Sequence, residues 1–392
     1  MVLLVAGILV WRLHGSGEYI APTPTPGADR EADTGAANAA LSALVRDVRR
    51  RRTEPGSGPV ATVLRNAVAL GVDDFDASYV AEDGPVAADG AWNADVEVRW
   101  RYGGFDQKAV TEQVPMRFSP TSPEAVRIAR IGGRAGSDQE KTPVWLSGPV
   151  TVRRTPQTLV VVRGGATEAA QYTRLARTAV ATVRRVVPWP DPRLVVEVPA
   201  ESAALEAALG ADPGSYSDVA AVTTTVDGSG VPGRPVHVFV NPDAIGKPGS
   251  IGAQVVMSHE ATHDATHAVT TSNLPTWLTE GFADYVALRD VKLPLSTTAG
   301  QILKDVRRHG PPAHLPSEAE FNAQSSTFGE EYESAWLACR VLAEIGGEHG
   351  LVEVYDRVEA GEPLGRVLRS VIGMSVGAFT KVWQHRLSHW AA

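Results

Sequence analysis

The feature that most constrains this chain is a nine-residue run, HEATHDATH from His259 to His267, that holds three of its ten histidines. His259 and His263 are four positions apart, and on an α-helix such residues lie on one face, about 6 Å apart along the axis. Two imidazoles placed in this way can both reach one tetrahedral Zn²⁺ ion at ~2.1 Å. Glu260 can reach a water molecule on the ion without binding the ion itself. This HExxH pattern predicts a zinc-binding helix.

A catalytic zinc site needs a third protein ligand and one open position. His267 continues the four-residue spacing, but it lies about 12 Å from His259 along a straight helix, too far to share one ion. Another known arrangement, HExxHxxGxxH, uses a glycine turn to bring back a third histidine. Here Thr266 stands at the glycine position and Val269 at the histidine position, so that arrangement is excluded.

The better third ligand lies in the segment LPTWLTEGFADY, residues 274–285. A proline followed by Thr276, a fair N-cap, predicts a second helix that can lie antiparallel to the first. Glu280 would then face the two histidines, and Gly281 would permit a close approach between helices. Asp284 lies one turn further on the same face, where it can accept the N–H of a ligating imidazole.

The motif HEATH followed by PTWLTEGFADY resembles the gluzincin metallopeptidases, most closely the peptidase-MA-like group with its P-x-W-L-x-E-G-x-A-x-Y signature. The resemblance covers roughly residues 160–392. It implies a zincin-like fold in which His259, His263 and Glu280 bind Zn²⁺. It also implies that Glu260 is the general base, which activates a zinc-bound water for hydrolysis of a peptide or protein substrate.

The segment EYESAW, residues 331–336, resembles the Y-E-x-G segment of the aminopeptidase branch of these enzymes. That resemblance implies that the Tyr332 hydroxyl stabilises the tetrahedral intermediate, although Ala335 stands where that branch is rich in glycine. A core tyrosine at the start of a helix is the alternative.

A strand predicted over residues 220–226 is the expected substrate edge, where a peptide backbone could pair before the metal helix. The aminopeptidase branch carries a glutamate near this strand to hold the free amine of its substrate. The sequence here is AAVTTTVD, which contains no glutamate. An endopeptidase is therefore favoured over an aminopeptidase.

The whole chain is expected to have an α+β fold in two domains. Residues 36–160 contain one or two helices followed by strands such as the alternating Val96, Val98 and Trp100. This order resembles the cone-like domains of the nuclear-transport-factor-2 (NTF2) group or of the polyketide-cyclase-like group, and a spacer or binding role is expected. Residues 161–392 would form the catalytic domain, with a mixed sheet followed by a helical C-terminal lobe.

The N-terminus begins with an uninterrupted apolar run from Val2 to Trp11. As a helix it rises only ~15 Å, whereas crossing a bilayer takes about 20 apolar residues. Residues 1–20 are interpreted as a membrane-proximal signal or anchor-like segment, with a buried strand as the alternative. Residues 21–35 form a Pro/Thr-rich linker, which is typical between a membrane segment and an outside domain. The expected location is extracytoplasmic, either membrane-anchored or secreted.

Composition narrows the function classes. The chain has 37 Lys and Arg against 45 Asp and Glu, a net charge of −8, which argues against nucleic acid as a partner. A single cysteine, Cys339, excludes an internal disulfide framework and a cysteine-based zinc site, and its helical context predicts a core position. One alternative is a non-catalytic zinc module with a degenerate peptidase fold, which serves binding or assembly. Another is that the N-terminal domain has the main role, binding a ligand or partner, with the peptidase as an accessory.

Overall fold

The structure, a computed structural model, describes residues 31–133, 141–271, 273–321 and 328–392. In these residues the chain has a mixed α+β fold with two β-sheets, of four and five strands. The predicted α+β class is confirmed, whereas the NTF2-like and zincin-like folds remain predictions. The apolar segment predicted for residues 1–20 and most of the linker lie outside the described residues. No helix of the described part is long and apolar enough to cross a membrane.

Two helices and an antiparallel meander form the first part of the fold. The helices are α1 (Thr34–Arg49) and α2 (Pro59–Leu70). The strands, which pair in chain order, are β1 (Val72–Asp83), β2 (Trp92–Tyr102), β3 (Val110–Ser122) and β4 (Ala125–Ile131). Val96, Val98 and Trp100 of β2 are buried, and the polar residues between them are more exposed. This alternation gives the meander one apolar face, which α1 covers by packing on β1 and β4.

The second sheet is mixed and has the order β5-β6-β7-β9-β8. Its strands are β5 (Thr151–Arg154), β6 (Thr158–Val162), β7 (Leu194–Val198), β8 (Ala221–Thr225) and β9 (Val236–Val240). The three central strands are parallel, and the edge strands β5 and β8 are antiparallel to their neighbours. Helices α3 (Ala166–Val183) and α4 (Ser202–Leu209) lie in the connections between them.

Both faces of the second sheet are buried. On one face Val160, Val196 and Val238 pack into the core that contains the C-terminal helices. On the other face Val161 and Phe239 pack into the core that contains the first sheet. The expected domain boundary between residues 160 and 161 therefore falls inside β6. Every residue of β6 is buried, so its sequence pattern could not reveal which sheet it joins.

After β9 the described chain is helical, as expected for the C-terminal lobe. The helices are α5 (Ile251–Ala265), α6 (Thr276–Leu288), α7 (Leu295–Thr298), α8 (Gly300–His309), α9 (Phe328–Glu359), α10 (Leu364–Val371) and α11 (Val376–Ala391). The sequence predicts that the helix after Tyr332 ends at Gly346 and Gly347. Gly347 instead forms a kink, with φ 74° and ψ 168°, after which the helix resumes within α9. Glycine suits this position because other residues rarely adopt such a positive φ.

A buried polar network connects the two sheets. The ring nitrogens of His237 lie 2.7 Å from Glu197 Oε1 and 3.0 Å from Asp106 Oδ1, and all three side chains are almost fully buried. The Tyr102 ring stacks on the imidazole at a centroid distance of 5.3 Å. Burial alone would lower the pKa of His237, but the carboxylates of Asp106 and Glu197 outweigh it and raise the pKa to about 10. His237 is therefore an imidazolium at neutral pH.

This network predicts a pH-dependent stability. Because the pKa of His237 is raised from about 6.5 to about 10 by folding, its contribution is fully present below pH ~6.5 and is lost as pH rises through 10. His237→Gln should lower the free energy of unfolding by about 3–5 kcal/mol at neutral pH, since it leaves two buried carboxylates without a cation. Urea denaturation of both proteins between pH 6 and 10.5 measures the difference. If the difference in free energy of unfolding between the wild type and His237→Gln does not decrease toward pH 10.5, the prediction is wrong.

Candidate metal centre

Helix α5 carries the HExxH residues and is anchored on its apolar side. Ser250 caps its N-terminus by accepting a hydrogen bond from the Ala253 N–H at 3.1 Å. Ala253, Met257 and Ala261 are fully buried in the core at four-residue spacing. The helix packs against α3, α6 and β8. This packing fixes the direction in which the residues of the HExxH motif project.

Helix α6 carries the third predicted ligand. Its N-cap is Pro275 rather than Thr276, because the Pro275 carbonyl already accepts hydrogen bonds from the N–H groups of Leu278 and Thr279. The close helix approach predicted for Gly281 is confirmed, and it is made with α9. A Cβ at Gly281 would lie 2.3 Å from the Ala335 carbonyl oxygen, so no larger residue fits without displacing α6.

The structure brings the three predicted ligands together. His259 Nε2 lies 2.9 Å from His263 Nε2 and 3.2 Å from Glu280 Oε2. His263 Nε2 lies 3.4 Å from the same Glu280 oxygen. In the described part of the chain these residues form a group that could hold a metal ion, with all ligand atoms within 4.8 Å of one another.

The residues present fit a bound divalent cation. Ligands at ~2.1 Å from a tetrahedral ion lie about 3.4 Å apart, close to the separations between these three atoms. The side chains of His259, His263 and Glu280 are 11%, 11% and 17% exposed, so an ion would be only partly screened by water. The donor set of two imidazole nitrogens and one carboxylate oxygen suits zinc among the common metals.

The predicted partner of the first histidine is in place. Asp284 Oδ1 lies 2.8 Å from His259 Nδ1, so the carboxylate can accept the Nδ1–H while Nε2 faces the other two ligand atoms. Burial lowers the pKa of His259, but Asp284 and Glu280 outweigh it, and the net pKa lies well above the usual value. Burial would raise the pKa of Glu280, but His263 and His259 hold it well below the usual range.

Glu260, the predicted base, is a buried residue of α5 whose carboxylate contacts Thr223 of β8. Its Oε2 accepts a hydrogen bond from Thr223 Oγ1 at 2.6 Å. The same hydroxyl lies 3.0 Å from the Glu260 backbone carbonyl. Nothing in the sequence marks Thr223 as a functional residue. A threonine in a strand is too common to stand out, and the two residues are 37 positions apart.

Strand β8 lies at the edge of the second sheet, where the sequence analysis expects the substrate to pair. It is antiparallel to β9 and packs against α5. Its five residues, AVTTT, include no carboxylate. The helix that carries the HExxH residues thus lies beside a strand edge with which no other described strand pairs.

Tyr332 of α9 lies next to the ligands. Its ring centroid is 6.1 Å from that of His259. Burial and the carboxylates of Glu280, Asp284 and Glu260 raise the pKa of Tyr332 far above 10. The hydroxyl is therefore neutral and can donate a hydrogen bond at any physiological pH.

Neither Cys339 nor the histidines at positions 267, 385 and 389 belong to the group that could hold a metal ion. His267 follows the end of α5 in a left-handed conformation with φ 54° and is exposed. His385 and His389 are also four apart, but both are exposed on α11. Cys339 is fully buried in the core, as predicted.

No protein-family model matches the chain, and no curated protein sequence is significantly similar to it. Its function must therefore be inferred from the residues of the site.

Proposed function

We propose that the protein is a zinc metallopeptidase of the gluzincin type that hydrolyses peptide bonds as an endopeptidase. The observation that carries the proposal is the convergence of His259, His263 and Glu280, with Glu260 next to the first ligand. The resemblance of HEATH and PTWLTEGFADY to the peptidase-MA-like signature supports the same assignment.

The metal would be held by the two Nε2 atoms and by Oε2 of Glu280. When bound, a zinc ion would acidify a water molecule and polarise the carbonyl of the scissile peptide bond. Asp284 fixes the orientation and tautomer of His259 through Nδ1. The chain thus supplies three ligand atoms and orients at least one of them.

Glu260 carries out both proton transfers of the proposed reaction. Its carboxylate accepts the proton of the attacking water and then delivers it to the nitrogen of the leaving amine. Tyr332 donates a hydrogen bond to the oxygen on which negative charge develops. The substrate backbone pairs with the free edge of β8, which places the scissile bond alongside α5. An extended peptide bound in this way extends beyond the site in both directions, which suits an endopeptidase.

The location of the reaction rests on sequence alone. The apolar run from Val2 to Trp11 and the Pro/Thr-rich segment after it support a place outside the cytoplasm, anchored or secreted. Both segments lie outside the described residues.

The test combines metal content with proteolysis. Elemental analysis of the purified protein should find about one zinc ion per chain. Unfolded casein should be cleaved, cleavage should stop with a chelator, and Zn²⁺ should restore it. Zinc binding without cleavage of casein or of a peptide library would instead identify a non-catalytic zinc module. A protein that binds no zinc would overturn both interpretations.

A further inference from the structure

We propose that Thr223 is a positioning residue, which holds the Glu260 carboxylate in place from the substrate-binding strand. The inference rests on the proposed function and adds a residue from outside both motifs. It follows from the contact between the two side chains and from the direction of the backbone at Thr223.

The contact has the geometry of a strong hydrogen bond. At 2.6 Å, the separation of Thr223 Oγ1 and Glu260 Oε2 lies within the range of ~2.5–2.7 Å for a hydroxyl bonded to a carboxylate. A hydroxyl has only one proton, and the charged oxygen attracts it more than the backbone carbonyl at 3.0 Å. Both residues are buried, with exposures of 9% and 7%, so water competes weakly for this bond.

The two partners differ in their freedom to move. Threonine is branched at Cβ and has few χ1 rotamers in a strand, and β8 is paired with β9 over its whole length. A glutamate has three side-chain torsions and would otherwise sample several positions. The hydrogen bond holds Oε2 and leaves Oε1 to accept a proton from water. Thr223 therefore acts on the reaction only through Glu260.

The backbone of Thr223 faces the free edge of the sheet. Asn241 N–H donates to the Ala220 carbonyl at 3.0 Å, and Val226 N–H donates to the Pro235 carbonyl at 2.9 Å. Because hydrogen-bonded pairs alternate along an antiparallel ladder, Ala220 and Val226 turn their backbone groups toward β9, whereas Thr223 turns its own away. One residue thus presents its backbone to the substrate and its hydroxyl to the base. Thr223 therefore determines both where the peptide backbone pairs and where the Glu260 carboxylate lies.

The test compares Thr223→Val, which removes the hydroxyl, with Thr223→Ser, which keeps it. The matched control is Thr158→Val, because Thr158 is also a buried threonine of the second sheet with a hydrogen-bonded hydroxyl, but it lies in β6 and not in the strand proposed to bind substrate. Steady-state cleavage of a fluorogenic peptide should show that Thr223→Val lowers kcat about ten- to a hundredfold with little change in KM. Thr223→Ser should recover most of the rate, and Thr158→Val should leave it unchanged. Zinc content should be the same in all four proteins.

A second measurement does not depend on activity. The metal-free forms of Thr223→Val, Glu260→Ala and the double variant are compared by their unfolding equilibrium constants. The change in the double variant should differ by about tenfold from the product of the two single changes. An active wild-type protein with unchanged kcat in Thr223→Val, or an equal loss in Thr158→Val, would overturn the positioning role and leave the proposed function standing. If the effects of the two substitutions on the free energy of unfolding simply add, the positioning role is also overturned. An inactive wild-type protein would overturn the proposed function, and the positioning role with it.

Discussion

Replacing Glu260 with glutamine is expected to abolish peptide hydrolysis while leaving the metal bound. Glutamine has nearly the same shape and can still accept the hydrogen bond of Thr223 through its carbonyl oxygen. It cannot take up a proton at neutral pH, so both proton transfers lose their acceptor. General acid–base groups contribute about 10²- to 10⁴-fold to rates, and kcat should fall by that amount.

Kinetics with a fluorogenic peptide and elemental analysis of the same samples measure this effect. Glu124→Gln is a suitable control because Glu124 is an exposed residue between β3 and β4, far from α5 in the chain. Turnover by Glu260→Gln close to that of the wild type would remove Glu260 from the reaction. If the variant loses both its zinc and its activity, Glu260 is a metal ligand instead.

Glu280→Ala is expected to abolish tight metal binding. Its Oε2 is the only described non-histidine ligand atom of the group and lies 3.2 and 3.4 Å from the two imidazole nitrogens. Changing a residue that only orients a ligand costs about 10- to 100-fold in metal affinity. Removing the ligand itself should therefore cost more than about 100-fold, and the purified variant should contain little zinc.

Competition with a zinc-binding dye gives the affinities, and His263→Ala should behave in the same way. His385→Ala is the control, since His385 belongs to the exposed histidine pair of α11 and should leave zinc binding unchanged. Wild-type zinc affinity in Glu280→Ala would show that the carboxylate is not a ligand. A matching loss in His385→Ala would point to a metal site elsewhere on the surface.

The sequence was informative where a site depends on local spacing. The four-residue interval between His259 and His263 defines one face of a helix, whatever the rest of the chain does. The second helix follows from the proline before it, and within it Glu280 and Asp284 also share a face. The strand predicted over residues 220–226 is likewise observed, as β8.

Contacts between distant segments could not be predicted in this way. Asp106 and His237 are 131 positions apart, and only the packing of the two sheets brings them together. Thr223 reaches Glu260 because the pairing of β8 with β9 sets which side chains face α5. A pattern of apolar and polar residues predicts that a strand is buried but not which strand lies beside it. For this reason the sequence does not show that β6 belongs to the second sheet.

The second sheet contributes to two cores at once, and this limits how the protein can be divided. A fragment that starts at residue 161 would lose part of β6 and uncover the side chains of Val161, Val195 and Phe239. Exposed apolar strands of this kind promote aggregation. The N-terminal portion therefore belongs to the same folding unit as the C-terminal helical lobe, and destabilising mutations in either portion will reduce the yield of the whole protein.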